Sequence, residues 1–385
     1  MTDCAFFPEE HGMFREVVDR FVEEHCGREY ARGCDAERRY PYEAYARMAE
    51  QGWFGLCVPE DQGGMGADVI FRAILQEGLS RHAFDLGAVY GLTSWGIDTL
   101  LRFGTAAQKQ TYIPPALAGE LRFSISMTEP NAGSDLTGIR LSAVPDGDSY
   151  VLNGQKVFAS AAGTERNVII LAARTARSDT DRRHGLTMFL VPNDTPGLEL
   201  RRLQTLSRRM SGTYECFYQD VRVPKANVVG ELHRGWDVLG AFLVQERIGG
   251  AAMYVGNAQT ALDDAVKYAR ERIQFGQAIG NFQAIRHALA DAACELEAAR
   301  LLTYQAAWLA DKGKPALKEA SMAKLYASEA GMRITTLGMQ VLGGYAQLPE
   351  FDMERYWRDA KQNMVSSGTS QIQRNIIAGA LGLKT

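Results

Sequence analysis

A handful of short stretches in this chain carry residue types able to do chemistry. Met127-Thr128-Glu129-Pro130-Asn131-Ala132-Gly133-Ser134-Asp135 mixes small residues with hydroxyls. Such a loop leaves backbone N–H groups open to an anionic ligand, although a plain Pro/Gly/Asp turn has the same composition. Arg272-Ile273-Gln274-Phe275-Gly276, followed by Phe282-Gln283, ends a helix on Arg and then Gly, which suits a ligand or a simple C-cap. Arg358-Asp359-Ala360 precedes Ser366-Ser367-Gly368-Thr369-Ser370-Gln371-Ile372-Gln373-Arg374, where a hydroxyl residue with Gln three further on marks a helix start. The fourth feature is a carboxylate. Glu246 lies four residues after Phe242, three after Leu243 and seven after Leu239, and precedes Gly249 and Met253 by three and seven. It therefore projects from an apolar stripe broken by small residues. Desolvation there raises a carboxyl's pKa toward the range of a general base, and Gly249 and Gly250 leave room beside it. An ion pair with an Arg of another helix explains Glu246 equally well.

The elements that position these groups change character along the chain. Over residues 1–122 the pattern is helical: Phe14, Val17, Val18, Phe21 and Val22 recur at helical spacing, Pro41-Tyr42 opens a further segment, and Ala67 to Leu79 and Ala88 to Phe103 follow. Gln62-Gly63-Gly64-Met65-Gly66 is a loop without the preceding strand that a dinucleotide fingerprint needs. Over residues 123–231 the alternation becomes two-residue. Strands are expected at Val168 to Ala173, Leu186 to Val191, Leu198 to Leu203 and Tyr214 to Val223, with turns at Asp146-Gly147 and Asn153-Gly154 and a polar loop at Thr175–His184. No helix-length segment separates these strands, so a small antiparallel domain is expected in place of a Rossmann fold. Over residues 232–385 long helices return: Trp236 to Arg272, Phe282 to Lys312, Pro315 to Leu342 and Ser370 to Leu381, the lengths of a bundle. The expected fold class is α+β, with an all-α domain, a β-domain and a four-helix bundle in that order.

Bulk properties narrow the function further. The 385 residues are 46% hydrophobic and 23% charged with a net charge of −4, which offers neither nucleic acid nor an anionic membrane a natural partner surface. The six cysteines, Cys4, Cys26, Cys34, Cys57, Cys216 and Cys294, contain no CxxC pair and no metal-ligand spacing, so no metal is expected and reduced thiols are. The first ten residues lack a basic-then-apolar leader and no apolar run reaches membrane-spanning length, so a cytoplasmic location is expected.

Taken in order, the motifs resemble the acyl-CoA dehydrogenase family over essentially the whole chain. The matching pieces are the loop Thr128–Asp135, the Asn153–Lys156 segment, Arg272–Gly276, Gln340–Gly344, the Arg358-Asp359 pair and the Gly368–Arg374 helix start. The resemblance implies FAD as cofactor. Met127, Thr128, Gly133 and Ser134 match positions on the isoalloxazine and pyrophosphate side, Phe158 an aromatic beside the ring, and Ser160 a hydroxyl that bonds it near N5. Arg272, Gln274, Phe275 and Gln283 match an arm that reaches the FAD of a neighbouring subunit, and Gln340, Gly343, Gly344, Thr369 and Gln371 match further cofactor contacts. A homotetramer built as a dimer of dimers is implied, acting on an acyl-CoA or an acyl-carrier protein, with electron-transferring flavoprotein as electron acceptor.

At one position the chain departs from the family pattern. Most members carry the catalytic glutamate just before the Gly-Thr of the last motif, where this chain has Ser367. A serine hydroxyl with no His nearby is too weak a base. Members of the isovaleryl and long-chain type place the base on an earlier helix, in a Glu-Arg pair that Gln245-Glu246-Arg247 matches. The resemblance thus implies that Glu246 takes the α-proton while hydride leaves the β-carbon for flavin N5. The Ser367 backbone N–H would polarise the thioester carbonyl. Arg247 matches an Arg at the CoA rim, its alternative being a solvated surface charge. Ser134, Trp95 and Ala346 would shape substrate binding. The competing readings are the reverse reaction, of crotonobetainyl-CoA reductase type (with Tyr356-Trp357-Arg358-Asp359 also similar), a biosynthetic desaturation of polyketide precursors or carrier-protein-bound acyl chains, with the γ,δ carbons as one variant of it, and a non-catalytic flavoprotein.

Overall fold

The computed structural model of the chain describes residues 9–178 and 180–383. Cys4 and the leader positions before Glu9 lie outside them. Six helices come first: α1 (Glu9–His25), α2 (Arg28–Glu37), α3 (Tyr42–Glu50), α4 (Val69–Leu79), α5 (Phe84–Phe103) and α6 (Ala106–Leu117). Local chemistry sets their starts. The Asp68 carboxylate accepts the Ile70 and Phe71 N–H groups at 2.9 and 3.0 Å and caps α4. Thr105 and Gln108 close a reciprocal capping box at the start of α6.

Eight strands follow: β1 (Arg122–Ser126), β2 (Ser142–Asp146), β3 (Ser149–Ser160), β4 (Asn167–Arg174), β5 (Leu186–Pro192), β6 (Leu198–Arg202), β7 (Thr213–Pro224) and β8 (Val228–Val229). Their order is β6-β7-β3-β2-β4-β5-β8, with β1 beside β4. The ladders are antiparallel apart from β1 with β4 and the single Ser142–Arg174 pairing of β2 with β4, which are parallel. Leu152, Ile169, Leu171, Phe189, Cys216 and Val221 form the apolar core of this domain. The Asp146-Gly147 turn links β2 to β3. Asn153-Gly154, expected as a turn, lies inside β3 instead, where the pairing with β7 slips between Leu152 and Gly154. Gly154 sits at φ +147, and a Cβ there would approach the Leu141 Cα to 2.9 Å. Asn153 and Asp220 lock the slip by exchanging hydrogen bonds of 3.0 and 2.9 Å across the strands. A glycine that admits a neighbouring backbone is as good a use of Asn-Gly as a hairpin.

The remaining elements are α7 (Gly235–Glu271), a two-stranded hairpin of β9 (Ile273–Gln274) and β10 (Gln277–Ala278), then α8 (Gln283–Asp311), α9 (Leu317–Leu342), α10 (Met353–Asn363) and α11 (Ser370–Ala380). Helix α10, which the sequence pattern leaves unannounced, carries the Arg358-Asp359 pair. Two compact units result, one of residues 9–37, 67–88 and 244–383, the other of residues 38–66 and 89–243.

In the first unit the buried Glu77 on α4 joins α1 to α8. Its carboxylate accepts from Arg15 at 3.2 Å, Arg300 at 3.1 Å and the Tyr304 hydroxyl at 2.6 Å. Burial alone would raise this carboxyl, but the two guanidiniums and the hydroxyl outweigh it and hold it down to about 2. In the second unit the Arg122 guanidinium lies over the rings of Tyr42 and Tyr45 at 4.8 and 4.7 Å. Among the described residues no helix is long and apolar enough to cross a membrane, and no group of His, Cys, Asp and Glu could hold a metal ion.

Candidate active site

In the second unit, the loop Met127–Asp135 rests on a buried ion pair. Lys156, fully buried on β3, donates to the Glu129 carboxylate at 2.9 Å and to the Met127 carbonyl at 2.8 Å. Glu129 in turn accepts the Arg140 and Leu141 N–H groups at 2.8 and 2.9 Å. Burial pushes the Lys156 ammonium down to about 8, with Glu129 opposing it. The clamp leaves Gly133 and Ser134 exposed, and a Cβ on Gly133 would meet nothing within 4 Å. Thr128 is tied to β3 by accepting the Val157 N–H at 2.9 Å. At the next residue the β3–β7 register breaks, and Phe158 stands at φ +62 with its ring 62% exposed. A bulky residue in the left-handed region costs about 1–3 kcal/mol, so the surrounding strand pairing must hold it there. Ser160 pairs with Thr213 across the sheet. Trp95 is buried edge-on against Phe242 at 6.0 Å, and its Nε1–H has no hydrogen-bond partner among the described residues.

In the first unit, Glu246 is half-buried on α7 and its charge acts on two buried cations, Arg247 and Lys324. Arg247 is only 5% exposed, which removes the solvated-surface alternative for it, and its Nε–H has no partner among the described residues. Lys324 on α9 is fully buried and donates to the Gly368 carbonyl at 2.8 Å. Burial lowers its pKa to about 7, opposed by Glu246 and Glu329 and reinforced by Arg247. The segment it holds is left-handed twice over, at Ser367 (φ +56) and Gly368 (φ +85). Gln373 Nε2 donates to both carbonyls of that segment, Ser367 at 2.9 Å and Gly368 at 3.0 Å. The Ser367 N–H itself makes no hydrogen bond among the described residues. Thr369 caps α11 by accepting the Ile372 N–H at 3.3 Å, and Gln371 is exposed beside it.

A cavity of about 500 Å³ in the same unit brings Arg272 and Gln274 together with Gly343 and Gly344, walled by Tyr268 and Tyr345. The Arg272 guanidinium lies 5.7 Å from the centre of the Tyr345 ring. Phe275 and Gly276 form the tip between β9 and β10, both at positive φ, with Phe275 93% exposed. Gln283 and Gln340 are exposed, Gln283 opening α8 and Gln340 near the end of α9, and Ala346 is fully buried. In the second unit the open Gly133 and the outward ring of Phe158 suit a ligand with phosphates and a flat ring, and in the first the aromatic-walled cavity beside Arg272 does so by itself.

Comparison with known families decides the matter. Residues 8–120, 124–221 and 233–382 match the N-terminal, middle and C-terminal domains of acyl-CoA dehydrogenase in turn. The chain belongs to the acyl-CoA dehydrogenase family. It is 39% identical over 97% of its length to the probable acyl-CoA dehydrogenase YngJ of Bacillus subtilis, covering 98% of that protein. It is 36% identical over 98% of its length to CarC, a subunit of the caffeyl-CoA reductase-Etf complex of Acetobacterium woodii, covering 99% of it. The structure of butyryl-CoA dehydrogenase from Megasphaera elsdenii superposes with a TM-score of 0.93 at 32% identity, over 98% of this chain and all of that one. Acyl-CoA dehydrogenases are FAD-dependent oxidoreductases acting on CH–CH groups, and this chain is one of them. The helical, β and helical order expected from the sequence is the family's fold.

For this acyl-CoA dehydrogenase the sequence motifs missed three supporting residues. Lys156 sits in a recognised motif without an assigned task, Gln373 reads as ordinary helix, and Lys324 went unnoticed. The signal for Lys324 was present: it follows Ala320 by four residues and precedes Ala327 by three, so a lysine shares a face with small residues.

Proposed function

We propose that this enzyme oxidises the α,β carbon–carbon bond of an acyl thioester, with Glu246 as the base in place of the residue missing at Ser367. The observation that carries the reading is the unpaired Ser367 N–H, on a residue whose own carbonyl and that of Gly368 are held, in the same unit as a carboxylate whose charge acts on two buried cations. Loss of the glutamate side chain leaves that backbone donor in place. Ser367 N–H polarises the thioester carbonyl, which acidifies the α-C–H. Glu246 takes the α-proton and holds it. Arg247 offers its unpaired Nε–H to an anionic or carbonyl group of the substrate. Trp95 and Ala346 bound the acyl chain.

FAD, when bound, supplies the acceptor for the β-hydride. Met127, Thr128, Gly133, Ser134, Phe158 and Ser160 would hold it, together with Gln340, Gly343, Gly344, Thr369 and Gln371. In a homotetramer, Arg272, Gln274, Phe275 and Gln283 would serve the neighbouring subunit's cofactor; the 93% exposed Phe275 at a hairpin tip supports this. Electron-transferring flavoprotein is the proposed acceptor and an acyl-CoA the proposed substrate, with a carrier-protein thioester as the variant.

The likeness to CarC favours one second reading, the reduction of an enoyl-CoA with Glu246 donating the proton. Anaerobic bleaching of the flavin by a panel of saturated acyl-CoAs, for wild type and Glu246→Gln, tests both. Dehydrogenation predicts rapid bleaching that slows about 10²–10⁴-fold in the variant. Equal rates would remove Glu246 as the base. Failure of every saturated thioester, with reoxidation of reduced enzyme by an enoyl-CoA, would establish the reductase.

A further inference from the structure

Lys324 is a fully buried ammonium with no carboxylate at ion-pair distance among the described residues. Lysine is almost never fully buried without a charged partner, because taking an ammonium out of water is costly. Its one hydrogen bond goes to a backbone carbonyl, Gly368, one residue beyond the unpaired Ser367 N–H. We propose that Lys324 is a positioning residue for the carbonyl-polarising donor: by gripping the Gly368 carbonyl it anchors the turn that follows Ser367 and so holds that left-handed residue, whose N–H then faces the thioester oxygen. This rests on the dehydrogenase reading of the same site.

The geometry explains why two side chains converge on two carbonyls. Ser367 at φ +56 is not a conformation its own sequence prefers. Gln373 spans the Ser367 and Gly368 carbonyls, and Lys324 holds the second from the opposite element, α9. With the Ser367 and Gly368 carbonyls pinned, the two peptides that follow the Ser367 Cα are held, which anchors that left-handed residue and so restrains the N–H on its preceding peptide before substrate arrives. The positive charge adds to the field where negative charge builds on the thioester oxygen, an effect strengthened by the low local dielectric. The charges that act on Lys324 are Glu246 and Arg247 of α7 and Glu329 of α9, the last already held by Arg374 of α11 at 2.8 Å. Its pKa, lowered by burial to about 7, places loss of that charge within the working pH range.

The test uses FAD-loaded enzyme and crotonyl-CoA carrying an isotope-labelled carbonyl, read by difference infrared spectroscopy. In wild type the bound carbonyl stretch moves to lower frequency. Lys324→Met is expected to lose much of that displacement and to slow flavin reduction by saturating butyryl-CoA about 10²-fold, the cost of a donor misplaced by about 1 Å, with flavin content unchanged. Lys324→Arg, which keeps the charge and a donor, is expected to recover part of the displacement. A flavin-loaded Lys324→Met with the wild-type stretch overturns the proposal. Should that variant not fold, Lys324→Gln decides: it keeps a shorter donor without the charge and is expected to lose part of the displacement, and a flavin-loaded Lys324→Gln with the wild-type stretch overturns the proposal. Glu246→Gln separates the two readings. It retains the full displacement while losing reduction; if it reduces at the wild-type rate, the base assignment fails and the Lys324 assignment still stands or falls on the carbonyl stretch.

Discussion

Two buried lysines each stand under a loop of this enzyme, and they are partnered differently. Lys156 supports the Met127–Asp135 loop and faces a carboxylate, Glu129, which itself collects two backbone N–H groups. Lys324 supports the Ser366–Thr369 segment and faces a carbonyl. Both ammoniums are pushed down by burial, to about 8 and about 7. The first charge is used up inside the fold and makes a shape. The second is left partly uncompensated beside Glu246 and Arg247, so it contributes a field as well as a shape. Burial of a charge thus says little about its purpose until the partner is known.

Breaking the pair under the first loop has the largest expected effect. Glu129→Gln strands the Lys156 ammonium and should cost about 3–5 kcal/mol, seen as a lower urea midpoint and weaker FAD retention; a loss under about 1 kcal/mol would mean the pair is not the support described. Glu77 supplies a buried carboxylate for calibration. Its folded pKa of about 2 lies below the usual 4.5, so its stabilisation is complete above 4.5 and is lost as pH falls toward 2, about 3 kcal/mol in all. Glu77→Gln should flatten that acid limb of the unfolding curve. Lys324→Met is expected to be milder than Glu129→Gln, about 1 kcal/mol for one lost hydrogen bond, because the Gly368 carbonyl keeps its bond from Gln373. A cost as large as that of Glu129→Gln would erase the contrast between the two sites. Another effect is alkaline, and it is read over the single pH unit above 7. Both lysines have folded pKa values below 10.5, so the unfolded chain holds the extra proton and stability rises with pH, from about 7 for Lys324 and from about 8 for Lys156. Between pH 7 and 8 the gain is at most about 1.4 kcal/mol, and it should shrink markedly in Lys324→Met.

The sequence disclosed what depends on local pattern. The long helices α7, α8 and α9 and the strands β4, β5 and β7 follow from periodicity, to within two residues at each end. The motif loops were legible because they combine residues that no packing argument requires. Asn153-Gly154 was misread because the same dipeptide serves a hairpin turn and a strand slip, and only the partner strand decides between them. Helix α10 has no legible apolar periodicity, because its residues are mostly charged or polar and depend on distant partners, such as Asp35 for Arg358, 323 residues away. Lys324 escaped for the same reason: what makes it unusual is the Gly368 carbonyl, forty-four residues on.

The left-handed Ser367 has a consequence for how such an enzyme can change over time. On the proposed reading the polarising group is main chain, so every amino acid that tolerates φ +56 carries it. The proposed proton acceptor, by contrast, is a side chain on another helix. Two tasks encoded at separate addresses can drift independently, and a lineage can relocate its acid–base group without rebuilding the site that activates the substrate. Ser367 would then be the vacated address, with Gly or Asn its most readily accepted successors.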